Sequence, residues 1–159
     1  MKSSKGFTLI EVLVALIVVG IIAAIGGLNL HAYTLNRNLK SAARDIVADF
    51  AACRQKAISE NTVYQIVFNV AGGSYTIQTV TGVPPAVTKS LSAIGRDISI
   101  VNATFGTASS QTVSFDTRGI IAPLGNAVGD GVILKNSRLS TATITVNTMG
   151  RTYVTFNIK

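Results

Sequence analysis

The sequence predicts an α+β protein: one long N-terminal helix, apolar in its first half and amphipathic in its second, packed on a small antiparallel β-sheet domain. Three observations predict it. An apolar run from Phe7 to Leu30 carries one charge, Glu11. Beyond it, apolar residues recur at three- and four-residue steps as far as Ala57, the spacing of one helix face. After Asn61 the pattern changes to short, alternating, Thr/Val/Ile-rich segments divided by Gly, Asn and Asp.

The helix follows a short basic leader containing Lys2 and Lys5. At about 1.5 Å per residue the run Phe7–Leu30 reaches ~36 Å, enough to cross a hydrocarbon core of ~30 Å. A secretory signal peptide has a shorter apolar region with its small-residue cleavage site after it. Here Gly6 comes before the block, so a cut at Gly6 leaves the membrane helix on the mature chain. Glu11 is the anomaly. A charge at bilayer depth costs roughly 2.5–3.5 kcal/mol on insertion scales and as a rule marks a site with a partner. Lys2 and Lys5 on one side, against Arg37, Lys40 and Arg44 on the other, leave the orientation open by charge alone. The lack of a cytosolic catalytic signature in the rest of the chain favours the N-terminus inside.

Leu35, Leu39, Ala42, Ala43, Ile46, Val47, Phe50, Cys53 and Ala57 form the apolar face of the second half, with Arg37, Lys40, Arg44, Asp49, Arg54 and Lys56 largely elsewhere. One helix is expected from Phe7 to about Ser59, roughly 80 Å long, with Asn61 as its exit. Gly26-Gly27 is its weak point, since each glycine costs about 1 kcal/mol relative to alanine. The pair suits local unwinding and close helix packing equally well. Strands are expected over Val63–Asn69 and Ser74–Thr81, joined by the turn Ala71-Gly72-Gly73. A loop over Gly82–Lys89 contains Pro84-Pro85. Further strands are Asp97–Asn102, Gln111–Phe115, Val132–Lys135, Ala142–Asn147 and Thr152–Asn157, the last two joined around Met149-Gly150. There is no repeat or low-complexity linker, and no second globular domain is expected.

Composition narrows the chemistry. The 159 residues are 48% hydrophobic and 13% charged, with net charge +7. A mild basic excess permits polyanion binding and equally suits a solvated surface. The lone Cys53 lies on the apolar helix face, the usual place of a small buried thiol. One cysteine and one histidine, His31, cannot make a structural zinc site. His31 has no evident carboxylate partner for acid–base work, and Gly72-Gly73-Ser74 lacks the lysine of a phosphate loop. Asn102-Ala103-Thr104 fits a glycosylation sequon, and Asp130, between Gly129 and Gly131, reads as a turn residue. No enzyme activity, cofactor or metal is expected.

Lys5-Gly6-Phe7-Thr8-Leu9-Ile10-Glu11-Val12-Leu13-Val14-Ala15-Leu16 resembles the class III signal of type IV prepilins and type II secretion pseudopilins. The resemblance implies a pilin-like fold, with leader 1–6, transmembrane and assembly helix 7–30 and periplasmic domain 31–159. It implies that a prepilin peptidase in the inner membrane cuts between Gly6 and Phe7 and methylates the new Phe7 amine. Glu11 would then pair with the Phe7 amine of a neighbouring subunit during assembly. Other pilin or pseudopilin subunits and a membrane assembly platform are the implied partners.

Phe115-Asp116-Thr117-Arg118-Gly119, the hairpin Ile144-Thr145-Val146 through Gly150-Arg151, and the helical stretch from Ala42 to Ala57 resemble GspH/FimT-type minor pseudopilins and pilins. Asp116–Gly119 also fits a type I turn. Some FimT-like pilins bind DNA through a Gly-Arg-x-Arg motif. The matching positions here are Gly150-Arg151-Thr152-Tyr153, with tyrosine in place of the second arginine. Arg118, Lys135, Arg138 and Arg151 are therefore the candidate DNA contacts, with Tyr153 placed to stack. A minor subunit is expected; a DNA-uptake pilin and a major pilin are the alternatives.

Overall fold

The computed structural model describes residues 6–106, 110–122 and 130–159, the side chains of 24–30 and 122 excepted. Helix α1 runs Leu9–Ser59, starting two residues later than expected because Thr8 caps it. The Glu11 N–H reaches Thr8 Oγ1 at 3.4 Å and the Thr8 carbonyl at 3.1 Å. Thr8 and Glu11 hold the first and fourth positions of a capping-box sequence. The helix ends at Asn61 as expected: its φ of 49° is left-handed, and the Thr62 N–H closes back on the Ala57 carbonyl at 3.2 Å.

Two compact units divide the chain, residues 1–34 and 35–159. In the first, the described helix is apolar and exposed, with Leu9 84%, Ile10 63% and Leu16 68% accessible. Among the described residues no helix is long and apolar enough to cross a membrane. The Gly26-Gly27 pair and the last part of the run to Leu30 lie where side chains are outside the description.

In the second unit the expected helix face is the core face. Leu39, Ala42, Ala43, Ile46, Phe50, Cys53 and Ala57 are buried, while Leu35 and Val47 are half-buried. The strands are β1 Tyr64–Asn69, β2 Ser74–Thr79, β3 Val87–Ser90, β4 Ser99–Thr104, β5 Thr112–Phe115, β6 Ile121–Ala122, β7 Gly131–Lys135, β8 Thr141–Val146 and β9 Thr152–Asn157. They form not one sheet but two, ordered β3-β2-β1-β5-β6 and β4-β7-β8-β9, with every pairing antiparallel.

Two strands were not expected. β3 overlaps the end of the expected loop Gly82–Lys89, because its four residues are all exposed and give no alternation. β6 has only two residues, too few for any period. Phe50 occupies the centre of the core, its ring 6.0–6.3 Å from Phe68, Phe105 and Phe115.

Burial pushes the Cys53 thiol up to about 12, with the Asp49 charge adding to it. The thiolate is therefore absent at neutral pH and the residue is a packing group.

Candidate functional site

The N-terminal segment presents its expected functional residues on one side of the helix start. Gly6 lies in open space, and the Phe7 side chain is 82% exposed. Phe7, Glu11, Val12, Ala15, Leu16 and Val19 line an apolar groove of about 320 Å³. Phe7, just before the helix, and Glu11, in its first turn, both line it. Glu11 stands in the first helical turn, where unpaired backbone N–H groups favour a carboxylate. Among the described residues no cation pairs with it. The segment thus offers a carboxylate and an aromatic ring on an uncovered apolar surface, which suits docking against another helix.

The two C-terminal motifs come together over the other end of α1. Asp116-Thr117-Arg118-Gly119 is the expected turn, the Gly119 N–H donating to the Asp116 carbonyl at 2.8 Å. Asp116 Oδ1 accepts the Ile120 and Arg118 N–H groups at 2.8 and 2.9 Å. These bonds, Ile120 first, hold the carboxyl below its ordinary pKa. Asn147-Thr148-Met149-Gly150 repeats the pattern: Gly150 donates to the Asn147 carbonyl at 2.9 Å, and Arg151 N–H to Asn147 Oδ1 at 2.8 Å. Both glycines are left-handed, with φ +74° and +71°.

Arg54 of α1 joins the two turns. Its Nε donates to the Gly119 carbonyl at 3.2 Å, and its aliphatic stem packs against Gly150. The Ile121 N–H donates to the Thr148 carbonyl at 3.0 Å, linking the sheets at the same place. Sequence reasoning missed Arg54, which reads there as part of the polar helix face.

A β-carbon at Gly119 would lie 2.7 Å from Ile58 Cδ1, and one at Gly150 would lie 2.9 Å from Arg54 Cδ. Forcing a non-glycine into a left-handed position costs about 1–3 kcal/mol. Gly119→Ala and Gly150→Ala are each expected to lower urea-unfolding stability by at least that range. Arg54→Ala should recover part of the Gly150→Ala loss, since residues in contact do not add independently. Strict additivity of that pair would refute the clamp.

The four candidate DNA contacts do not share one patch. Lys135 pairs with Thr141, which pairs with Asn157, whereas Val146 pairs with Thr152 beside Arg151. Five residues of strand separate the two rows, ~17 Å at about 3.4 Å per residue. Lys135 and Arg138 stand at one end of the four-stranded sheet, and Arg118 and Arg151 at the other. Arg118 is engaged by Asp116 at 3.3 Å. Tyr153 is 56% exposed.

A second charged cluster is satisfied internally. The Tyr75 hydroxyl donates to Asp49 Oδ2 at 2.6 Å, and Lys89 Nζ approaches the same carboxylate at 2.7 and 2.8 Å. Burial, then the bond to Asp49, pushes the Tyr75 pKa up. Asp130 is buried and accepts the Gly106 N–H at 2.8 Å, so its carboxylate organises backbone.

Residues 1–27 match the family described as the prokaryotic N-terminal methylation motif. Residues 42–150 match the family described as the type II transport protein GspH. The fold is similar to that of the minor pseudopilin EpsH from the type 2 secretion system of Vibrio cholerae. The TM-score is 0.57 at 11% identity, over 75% of this chain and 97% of that one. At that identity the likeness speaks for the fold. No curated protein sequence matches the chain.

Proposed function

The chain belongs to the GspH family of type II transport proteins, and we propose that it serves as a membrane-anchored minor pseudopilin or pilin. The role is that of a structural subunit, not an enzyme. In this reading residues 1–6 are a leader removed by a prepilin peptidase. Phe7 becomes the methylated mature N-terminus, and 7–30 anchor the subunit in the inner membrane before assembly. Residues 31–159 lie in the periplasm and later on the filament. The partners are the peptidase, neighbouring subunits and the assembly platform of a type II secretion system or type IV pilus, at its tip or initiation complex.

The observation that carries the reading is the order of parts: an N-terminal methylation motif over 1–27 followed by a GspH domain over 42–150. The apolar groove beside Phe7 and Glu11 gives the assembly role a surface. Co-expression with a prepilin peptidase tests it. Mass spectrometry of the membrane fraction should find a chain beginning at N-methyl-Phe7, and a bulky substitution at Gly6 should leave the full leader attached. A mature chain that still begins at Met1 beside an active peptidase would overturn the reading.

The division of Arg118, Lys135, Arg138 and Arg151 between two ends of a sheet favours a structural role over the alternative of a DNA-uptake pilin. A DNA mobility shift at low salt separates those two. Abundance in sheared filaments separates a minor from a major subunit.

A further inference from the structure

We infer that the outer edge of β9 is a docking site for an extended acidic segment of another protein, which adds to the four-stranded sheet as a further antiparallel strand. Among the described residues β9 pairs only with β8. The Asn147 N–H donates to the Arg151 carbonyl at 3.0 Å. By the alternation of an antiparallel ladder, the N–H and C=O groups of Thr152, Val154 and Phe156 then point to the free edge. The side chains of Val154 and Phe156 pack on the core yet are only partly buried. An added strand would cover them.

The other sheet edges are blunted. β3 is short and exposed, with its Lys89 held by Asp49. β6 has two residues, and the pairing of β4 shifts register between Ile100 and Asn102. β9 has six residues, Thr-Tyr-Val-Thr-Phe-Asn, without lysine, proline or a register shift. It therefore lacks the usual devices against strand addition.

Charge selects the occupant. No acidic residue occurs in β4, β7, β8 or β9. Arg151 stands at one end of the edge, with Arg138 and Lys159 at the other, the Arg138 Nε lying 3.4 Å from the Lys159 carbonyl. A second copy is disfavoured: centred antiparallel pairing of two β9 strands brings Arg151 of each copy to the Ile158-Lys159 end of the other, and parallel pairing sets Arg151 against Arg151. Like charges directly opposite are destabilising. Carboxylates at both ends of an incoming strand reverse that sign, while main-chain bonds supply the rest of the affinity. This inference does not depend on the filament role.

The test uses the purified full chain in detergent micelles. The probe is a fluorescent peptide of alternating threonine and valine flanked by glutamates; the control has lysines in their place. The acidic peptide should bind about tenfold tighter at low salt and slow amide exchange at Thr152, Val154 and Phe156. Val154→Pro removes one outward N–H without touching the β8 ladder and should abolish binding. Arg151→Glu with Arg138→Glu, both exposed positions, should reverse the preference between the peptides. Equal binding of the two peptides, protection elsewhere, or an unreversed preference would overturn the proposal. So would a DNA duplex that displaces the peptide equally well from wild type and Val154→Pro, because the edge would then be only a basic patch.

Discussion

Glu11→Ala protein is expected to reach the membrane and be cut behind Gly6 like the wild type, yet to be depleted from sheared filaments by about 10- to 100-fold. Removing the carboxylate eases insertion, because a charge at bilayer depth costs roughly 2.5–3.5 kcal/mol. On the proposed assembly role, what is lost is the partner of a neighbouring subunit's Phe7 amine, in a place where water no longer screens the pair. Net coupling of about 1.5–3 kcal/mol corresponds to that range of occupancy. The structure adds a discriminating variant. Glu11 also occupies the fourth position of the capping sequence begun by Thr8, and glutamine there preserves the cap while removing the charge. Glu11→Gln should therefore assemble as poorly as Glu11→Ala. Filaments that accept the glutamine variant at wild-type levels would assign Glu11 to the helix cap and end the ion-pair account. The ratio of filament to membrane-bound subunit, measured by quantitative immunoblotting, decides it.

The parts of this protein legible in the sequence are those whose periodicity is set by burial. The helix face from Leu39 to Ala57 was legible because each of its residues faces a core, so the 3.6-residue period survives in composition. Strand β9 was read with its observed bounds because Gly150 closes the preceding turn and the alternation runs unbroken. Strand β3 was not, because all four of its residues face solvent and its pairing partner, not its own sequence, makes it a strand. The split into two sheets was equally hidden, since no local pattern says which strands share an edge.

At the candidate site, Gly6, Phe7 and Glu11 are neighbours in the sequence, so grouping them needs no tertiary structure. Arg54 could not: its hydrogen-bond partner Gly119 lies 65 residues away, and on the helix it looks like any solvated arginine. The clue that was available lay in the partners. Two Asx-x-x-Gly turns in one domain are each compatible with left-handed glycine packed tightly against something. For the basic residues the type was legible and the placement was not: strand register sends Lys135 and Arg151 to opposite ends.

Phe50→Ala is expected to lower the stability of the globular unit by about 3–5 kcal/mol, the usual cost of emptying a buried phenylalanine site. The ring is fully buried and contacts three other aromatic rings, one each from β1, β5 and the segment after β4. These neighbours are themselves held by both sheets, so the site has little room to collapse. A loss of that size should appear as a drop on the order of 10–20 °C in the melting temperature of the full chain in micelles. It should be followed by the near-ultraviolet signal of Tyr64 and Tyr75, whose rings are buried in the same core. The contrast is Leu16→Ala, which removes an apolar side chain 68% exposed in the isolated chain and should leave that melting temperature unchanged. Neither substitution touches Gly6 or Phe7, so both proteins should still be cut and methylated. On the proposed assembly role Leu16→Ala should weaken packing between subunits, whereas Phe50→Ala should release the helix from its own domain and expose it to proteolysis. Equal melting temperatures for Phe50→Ala and wild type would mean that the aromatic cluster does not hold α1 to the sheets.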